Sequence, residues 1–407
     1  MKNIFLELKD RGLLAQVSHS DELESKINKG EKMVFYMGFD PTADSLHVGS
    51  LSLIITAKRL MNAGHKVVVL VGGGTALIGD PSGKTEMRKM LSKSDVKSNF
   101  KSIEKQVKKI CGKKNVVAFV DNASWLRKIN YLDFLRDFGP IFKVNEMVKA
   151  ESYRARLERE EGLTFLEFNY QLLQAYDYLH LHDKYNCTLQ IGGDDQWSNI
   201  LAGSDLIRRK RSTSAFAMTI PLITNSNGKK MGKTESGAVW LDPKKTSPFD
   251  FYQFWINTDD KDVVKFLNVF TFLSDTELSK LSSLSGAEIR DAKKVLAFEV
   301  TKFVHGEIEA NKAKESSEKL FAGGDKESSI PAIEIKLSDI GNLADLLVKI
   351  GAVSSKSDAR RLVQGGGLYI DDKRIESSDL DTKPNNSNSS ILIRVGKRKY
   401  FKVEFIK

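Results

Sequence analysis

Apolar runs and polar breaks alternate through roughly the first 245 residues in the order strand, helix, strand. Met33-Val34-Phe35-Tyr36-Met37 reads as a short buried strand, and beyond a turn of small and polar residues Leu51, Ile54, Ile55 and Leu60 recur near helical spacing. His65–Gly74 follows as a Val-rich second strand closing on three glycines. Strand alternating with helix predicts a parallel β-α-β sheet. Further strands are expected at Val116–Val120 and Cys187–Ile191, and a basic surface helix at Lys93–Ile110. From Tyr131 to Asp183 the pattern is almost entirely helical, and Ile4–Glu24 is expected to be one amphipathic helix outside the first strand. Beyond Trp240 the composition shifts. Ser247–Asn257 is an aromatic cluster, Asp262–Phe321 is Leu/Lys/Ser-rich and helical, Ala322–Ser329 has linker composition, and Ile340–Lys407 mixes short helices with a terminal strand pair.

In parallel sheets ligands lie at the carboxyl ends of the strands, so the turns there are the candidate sites. The Tyr36–Ser50 turn leads into a helix whose first N–H groups favour an anion, with His47 beside Gly49, whose missing side chain permits close approach. The alternative is an ordinary helix cap. Leu77–Thr85 ends in Gly-Lys-Thr but has Ile78 where a P-loop needs glycine, so it is not one. Its Asp80 suits an ammonium group, and Lys84 and Arg88 suit phosphate oxygens, against the alternative of a solvated loop. Tyr170, Gln174 and Asp177 fall at i, i+4 and i+7, one polar stripe among Leu172, Leu173, Ala175 and Leu179; this fits a lined pocket or a satisfied polar core. His180 and His182, near that helix's end, read as surface or capping residues. After the late strand, Gly192-Gly193-Asp194-Asp195-Gln196-Trp197 offers a carboxylate for ribose hydroxyls, or simply a tight turn. Thr224–Thr234 carries Lys229, Lys230 and Lys233 on a Gly/Asn/Ser loop that can close over a triphosphate, or form a solvated basic hairpin.

Composition narrows the class. A chain of 407 residues, 41% hydrophobic and 29% charged, fits a soluble protein of two or three domains. Two cysteines exclude a disulfide framework and no Cys/His spacing suits zinc, so no metal site is expected. With neither signal peptide nor membrane helix in the pattern, the expected setting is cytoplasmic. The net charge of +10 points to a polyanionic partner without deciding it. Phe134, Phe138, Phe142, Phe165 and Phe168 supply bulk for an oligomer interface or for ordinary core packing.

Taken in order, YMGFDPTADSLHVGS, LVGGGTALIGDPSGKTEMR, QLLQAYDYLHL, LQIGGDDQW and KKMGKTESGAVWLD resemble the sequence blocks of class I aminoacyl-tRNA synthetases, most closely the bacterial tyrosyl-tRNA synthetases. The likeness spans essentially the whole chain. It implies an α/β fold: a Rossmann-like catalytic domain over 1–245, a helical anticodon-stem domain over 246–325, a linker over 326–339 and a small α+β S4-like RNA-binding domain over 340–407. It implies that Tyr36 and Asp177 read the hydroxyl of a substrate tyrosine, that Asp80, Tyr170 and Gln174 hold its ammonium group, and that Gln190 lines the same pocket. Gly38, Asp40, Gly49, Ser50, Gly193, Asp195 and Gln196 belong by the same resemblance to the nucleotide side. Thr42 and His47 would meet the ATP phosphates, and Lys84, Arg88, Lys230, Lys233 and Thr234 would stabilise the transition state. Lys356, Arg360, Arg361, Lys397, Arg398 and Lys399 would contact RNA backbone.

The implied reaction is attack of the tyrosine carboxylate on the α-phosphorus of ATP, with Mg²⁺ carried by the nucleotide, followed by acyl transfer to tRNA(Tyr). It needs positioning and charge stabilisation, with no side-chain nucleophile. A homodimer is implied, and no membrane partner. No insertion large enough for an editing domain is visible; tyrosyl-tRNA synthetases are themselves the standing example of rejecting phenylalanine without one. Ser50 departs from the pattern, because many relatives carry a second histidine there. Three rivals remain at this stage: the tryptophanyl enzyme, a small-molecule nucleotidylyltransferase and a non-catalytic descendant of a synthetase.

Overall fold

The computed structural model describes residues 3–80, 92–158, 163–234, 237–321, 332–353, 355–383, 390–396 and 399–406. They form two compact units, one comprising residues 1–232, 239–246 and 258–292, the other 233–238, 247–257 and 293–407.

The first unit is built on a parallel sheet of β1 (Val34–Phe39), β2 (Lys66–Val71), β3 (Val116–Asp121), β4 (Cys187–Gly193) and β5 (Phe216–Ile220), in the spatial order β3-β2-β1-β4-β5. Tyr36 is in register with Val68 on one side and Gln190 on the other. Strands buried on both faces need continuous apolar runs, and β2 supplies Val67 to Val71, all buried, at roughly 1.5–3 kcal/mol per large side chain removed from water. The order of strands reverses between β1 and β4, and in open α/β sheets ligands bind at the carboxyl ends beside such a reversal. Helices Leu51–Asn62 and Lys93–Cys111 follow β1 and β2. Ser92 and Asp95 form a reciprocal cap at the start of the second, and Gly112 ends it at φ +74°.

Helix Phe165–Tyr185 is fixed by a Thr164–Glu167 capping box and by Asn186 in the left-handed region after its last turn. It packs against Trp197–Arg211, close enough that a Cβ on Gly203 would lie 2.9 Å from the Tyr178 ring. Of the expected aromatic surplus, Phe134 is core with Met147 and Leu172, Phe138, Phe142 and Phe168 pack against that cluster, and Phe165 is 68% exposed, as Tyr131, Leu132 and Val144 also are in large part.

The amino-terminal reading needs correction. Two helices, Ile4–Asp10 and Ser20–Asn28, replace the single one, because Gly12 turns the chain at φ +69°. The segment between runs along the outer edge of β5, with Ala15 N–H on Thr219 O at 2.8 Å and Thr219 N–H on Gln16 O at 2.8 Å. It covers backbone groups that an open edge would leave unpaired. Residues 258–292, read as part of one helical domain, group with the sheet: helix Val263–Phe270 packs on Leu51–Asn62, and the buried Arg11 donates to Leu273 O at 2.6 Å.

In the second unit, helices Pro248–Ile256 and Glu307–Phe321 pack together, with Gln253 bonded to Ser317 at 2.9 Å. The unit also holds a two-stranded ribbon of β6 (Lys233–Thr234) and β7 (Gly237–Ala238) and a mixed sheet of β8 (Ala332–Lys336), β9 (Leu368–Ile370), β10 (Lys373–Arg374), β11 (Ser390–Val395) and β12 (Lys399–Ile406), ordered β10-β9-β11-β12-β8. Helices Leu343–Lys349 and Lys356–Gln364 cover it through Leu346, Leu347, Ala359 and Val363. β8 lies within the stretch read as linker; Ile333 and Ile335 alternate with polar residues and β8 pairs parallel with β12. The rest of the linker composition, Ala322–Ser329, is outside the described residues.

Candidate active site

Four of the five strands of the central sheet, β1 to β4, each bring candidate site residues to their carboxyl ends. Past β1 stands Asp40, whose Oδ1 accepts from Thr75 Oγ1 at 2.8 Å and whose Oδ2 accepts from Tyr170 Oη at 3.0 Å. Past β2 come Gly72-Gly73-Gly74-Thr75, and past β3 comes the buried Asn122. Asn122 Nδ2 donates to Thr75 Oγ1 at 3.0 Å and to Asp177 Oδ2 at 2.8 Å, and its Oδ1 accepts from Gly74 N–H at 2.7 Å. The other Asp177 oxygen accepts from Trp125 Nε1 at 2.7 Å.

Tyr170 and Asp177, on one face of helix Phe165–Tyr185, are buried, and Gln174 between them is partly so. Tyr36 on β1 stands edge-on to Tyr178, and its hydroxyl is buried without a hydrogen-bond partner at bonding geometry, with the Gln190 side chain alongside; Gln190 Oε1 is likewise unpartnered. Burial above all, and then the nearby Asp177, hold the Tyr36 phenol well above its usual pKa, so it stays a neutral donor and acceptor. Burial also pushes the Asp177 carboxyl up to about 7, against the pull of the Asn122 and Trp125 hydrogen bonds. Two buried, unpartnered polar groups therefore lie close to a desolvated carboxylate, a cluster whose chemistry a further hydroxyl would complete.

A second network occupies the β4 end. Gln196 Nε2 donates to Asp80 Oδ2 at 2.7 Å, and Asn199 Nδ2 reaches Gln196 Oε1 at 3.1 Å and Gln174 Oε1 at 3.4 Å. The paired aspartates separate in role: Asp194 takes Thr219 Oγ1 at 2.7 Å and Gln16 Nε2 at 2.8 Å, while Asp195 is open to solvent. Crowding by protein atoms, then Asp80, raises the Asp195 pKa, and Lys230 works against it. A Cβ on Gly193 would stand 2.6 Å from Asp195 Oδ1, so glycine keeps that side clear.

The His47 turn and the lysine loop meet. His47 Nδ1 caps Gly49 N–H at 3.0 Å, and the turn is stitched by Val48 N–H on Val239 O at 2.9 Å and Leu241 N–H on Leu46 O at 2.8 Å. A Cβ on Gly49 would lie 3.1 Å from Met231 O, and one on Gly232, at φ +86°, would lie 2.7 Å from Gly49 N. Backbone meets backbone here, which only glycine allows. The lysine loop is a closed hairpin, with Met231 N–H on Ile223 O at 2.8 Å and Asn225 N–H on Lys229 O at 2.9 Å.

Thr42 is exposed, and Ser50 and His47 are half-buried near that turn. Lys84 and Arg88 lie outside the described residues, as do Lys397 and Arg398; for Lys233, Thr234 and Lys399 the backbone alone is described. Lys356, Arg360 and Arg361 are exposed, Lys356 at the first position of helix Lys356–Gln364 and Arg361 in its last turn rather than at its start; Lys356 pairs with Asp345 at 2.6 Å and Arg361 with Asp358. Of the histidines near the end of the long helix, His182 shares a hydrogen bond with Cys187 O at 3.0 Å and His180 stacks on Trp125 with ring centres 4.3 Å apart. His180 therefore does more than cap: it packs behind a residue that holds Asp177. Thr75, Asn122, Trp125 and Asn199 are the site residues the motif reading missed. The glycine run before Thr75 was the one signal that pointed near them.

The sheet order and the ligand-facing turns define the catalytic fold of a class I aminoacyl-tRNA synthetase, and a model described as tRNA synthetases class I (W and Y) matches residues 28–322. A second model, the tyrosine–tRNA ligase SYY-like C-terminal domain, matches residues 324–403. Curated tyrosine–tRNA ligases of Clostridium botulinum strain Hall and Caldanaerobacter subterraneus subsp. tengcongensis are each 52% identical, over 99% of both chains and over 97% of this chain and 98% of the other, respectively. Among solved structures, a C-terminally truncated mitochondrial tyrosyl-tRNA synthetase of Aspergillus nidulans superposes with a TM-score of 0.70 at 31% identity, covering 79% of this chain and 95% of its own. The chain belongs to the tyrosine–tRNA ligases.

Proposed function

We infer that the chain activates L-tyrosine with ATP to tyrosyl-adenylate and transfers the tyrosyl group to the 3′ end of tRNA(Tyr). The observation that carries the choice of amino acid is the buried pair of Tyr36 and Asp177, an unpartnered hydroxyl and a desolvated carboxylate beside the reversal between β1 and β4. An indole has no hydroxyl to bring to them, and phenylalanine would leave the Tyr36 hydroxyl buried and unpaired and give Asp177 no donor beyond Asn122 and Trp125.

In this reading the phenol enters between Tyr36 and Asp177, with Gln190 beside it. Asp80, Tyr170 and Gln174 take the ammonium group. Gly193, Asp195 and Gln196 face the ribose, and Gly38 and Asp40 line the nucleotide. Thr42, His47 and the Gly49–Ser50 backbone meet the phosphates, which bring Mg²⁺ with them. Lys84, Arg88, Lys230, Lys233 and Thr234 stabilise charge as pyrophosphate departs, and the contact of the Lys230 hairpin with the His47 turn supports that division of labour. The carboxylate of tyrosine is already a nucleophile, so the protein's work is alignment.

The carboxyl-terminal module presents Lys356, Arg360 and Arg361, with Lys397, Arg398 and Lys399, to tRNA backbone. The catalytic region is 1–245 and the RNA-facing module 340–407, with helical segments between them. The exposed Tyr131, Leu132, Val144 and Phe165 suit a homodimer contact. A cytoplasmic setting goes with this reaction. Tyrosine-dependent ATP–pyrophosphate exchange tests the site: Asp177→Ala should abolish it while the variant melts like the parent. Parent-like exchange in a folded variant removes Asp177 from the pocket.

A further inference from the structure

Both N–H donors of the Asn122 side chain and its carbonyl oxygen are engaged, and the direction of each bond can be read. Asp40 accepts the single Thr75 hydroxyl proton, so a Thr75 lone pair receives one Asn122 N–H; the other Asn122 N–H goes to Asp177, and Gly74 N–H holds the Asn122 carbonyl. The result is one ordered chain, Asp177, Asn122, Thr75, Asp40, Tyr170, each link between 2.8 and 3.0 Å. It crosses the carboxyl ends of three strands, from the phenol pocket at one end to Asp40 and the Tyr170 hydroxyl at the other. Gly72 shows how little slack it has: a Cβ there would stand 2.2 Å from Asp40 Oδ1 and 2.3 Å from Thr75 Oγ1.

We propose that Thr75 and Asn122 are positioning residues that couple the two halves of the site, so that a phenol seated on Asp177 fixes Asp40 and Tyr170 for the amino-acid backbone and the nucleotide. This rests on the reading of Asp177 and Tyr170 as substrate contacts. The coupling is mechanical: a carboxylate drawn toward the phenol carries the Asn122 amide with it, and Asn122 cannot turn without stripping Thr75 and Gly74 of partners. A hydroxyl-bearing substrate thereby orders the nucleotide side, and one lacking the hydroxyl does not, which extends amino-acid selection from binding into the rate of adenylate formation.

Among the described residues, the charged and titratable groups that act on or feel Asp177 are Asp40 beyond β1, Asp121 at the end of β3, Tyr36 on β1, and Tyr170 and Tyr176 on its own helix, and none of these is a cation. The hydrogen bonds from Asn122 and Trp125 are what favour its ionised form, so their loss has a signature in pH that misfolding does not mimic.

The experiment uses the full chain, with ATP–pyrophosphate exchange measured against tyrosine from pH 5.5 to 8.5. Thr75→Val, which keeps shape and removes the hydroxyl, should lower kcat as well as raise KM for tyrosine, with kcat/KM falling at least about tenfold, and Thr75→Ser should restore it. Asn122→Ala should move the acidic limb of kcat/KM upward by about one pH unit. Parent-like kcat in Thr75→Val, or an unmoved limb in a folded Asn122→Ala, overturns the coupling. Asp177→Asn separates the two levels: if it leaves tyrosine kcat/KM unchanged, the site reading itself fails; if it is impaired while Thr75→Val is not, only the coupling fails.

Discussion

Lowering the pH from 8 to 5.5 should discharge Asp177, the residue proposed to read the substrate hydroxyl. In the empty site burial holds the Asp177 carboxyl at about 7, far above the 3.8 of a free aspartate, and the Tyr36 phenol stays neutral throughout this range. Only the ionised carboxylate keeps every acceptor site for a phenolic O–H. Apparent affinity for tyrosine then scales with the ionised fraction, so kcat/KM for tyrosine should fall about tenfold between pH 8 and pH 6 and about a hundredfold by pH 5. A bound phenol donates to the carboxylate and favours its ionised form, so Asp177 titrates lower in the complex and kcat should show a weaker acidic limb than kcat/KM. The assay is pyrophosphate exchange at saturating ATP, because Asp195 on the nucleotide side is also raised and would add its own limb at low ATP. Asp177→Asn should lower kcat/KM at every pH, since its amide N–H₂ faces the Asn122 or Trp125 donor, and should remove the limb. A flat kcat/KM from pH 5.5 to 8.5, or a limb unchanged in Asp177→Asn, refutes the reasoning.

Other consequences can be checked separately. Gly232→Ala places a Cβ 2.7 Å from Gly49 N at a φ of +86°, so it should cost about 1 kcal/mol or more in stability and lower the rate of adenylate formation more than tyrosine affinity, read by thermal melting and exchange kinetics. His65 is buried, accepts from Met33 N–H at 3.2 Å, and is held down to about 4 by desolvation first and Lys32 second. Its folded pKa lies below the unfolded 6.5, so its contribution is complete above 6.5 and is lost as pH falls toward 4; denaturant melts should lose on the order of 3 kcal/mol across that window, and His65→Asn should flatten the slope. Ser50→His tests the departure from the histidine pair: it should lower KM for ATP by adding a cationic donor at the phosphate turn, and an unchanged KM means the position does not touch ATP.

The sheet was legible because its strands are continuous apolar runs and its turns hold residues with few other uses, such as the glycines after β2 and β4. The polar stripe of Tyr170, Gln174 and Asp177 was readable from helical period alone. What periodicity could not supply was the partner of each stripe residue. Asn122 and Trp125 sit at the N-cap and in the body of a one-turn helix, Ala123–Leu126, with no motif of its own, and their meaning comes from β3 lying beside β2, a neighbour relation absent from local sequence. The Ala15–Ser18 segment was hidden for a related reason: four residues pairing along a sheet edge leave no alternation long enough to read. β8 was legible in principle through Ile333 and Ile335, but the linker-like composition just before it masked a short strand.

The central claim, that the site beside the reversal between β1 and β4 selects tyrosine by its hydroxyl, is tested most directly by ATP–pyrophosphate exchange with tyrosine, phenylalanine and tryptophan as the sole amino acid. Exchange should be robust with tyrosine and fall by orders of magnitude with the other two, because each leaves the Tyr36 hydroxyl buried and unpaired and brings no hydroxyl to the desolvated Asp177. Comparable exchange with phenylalanine or tryptophan, or none with tyrosine, would contradict the account.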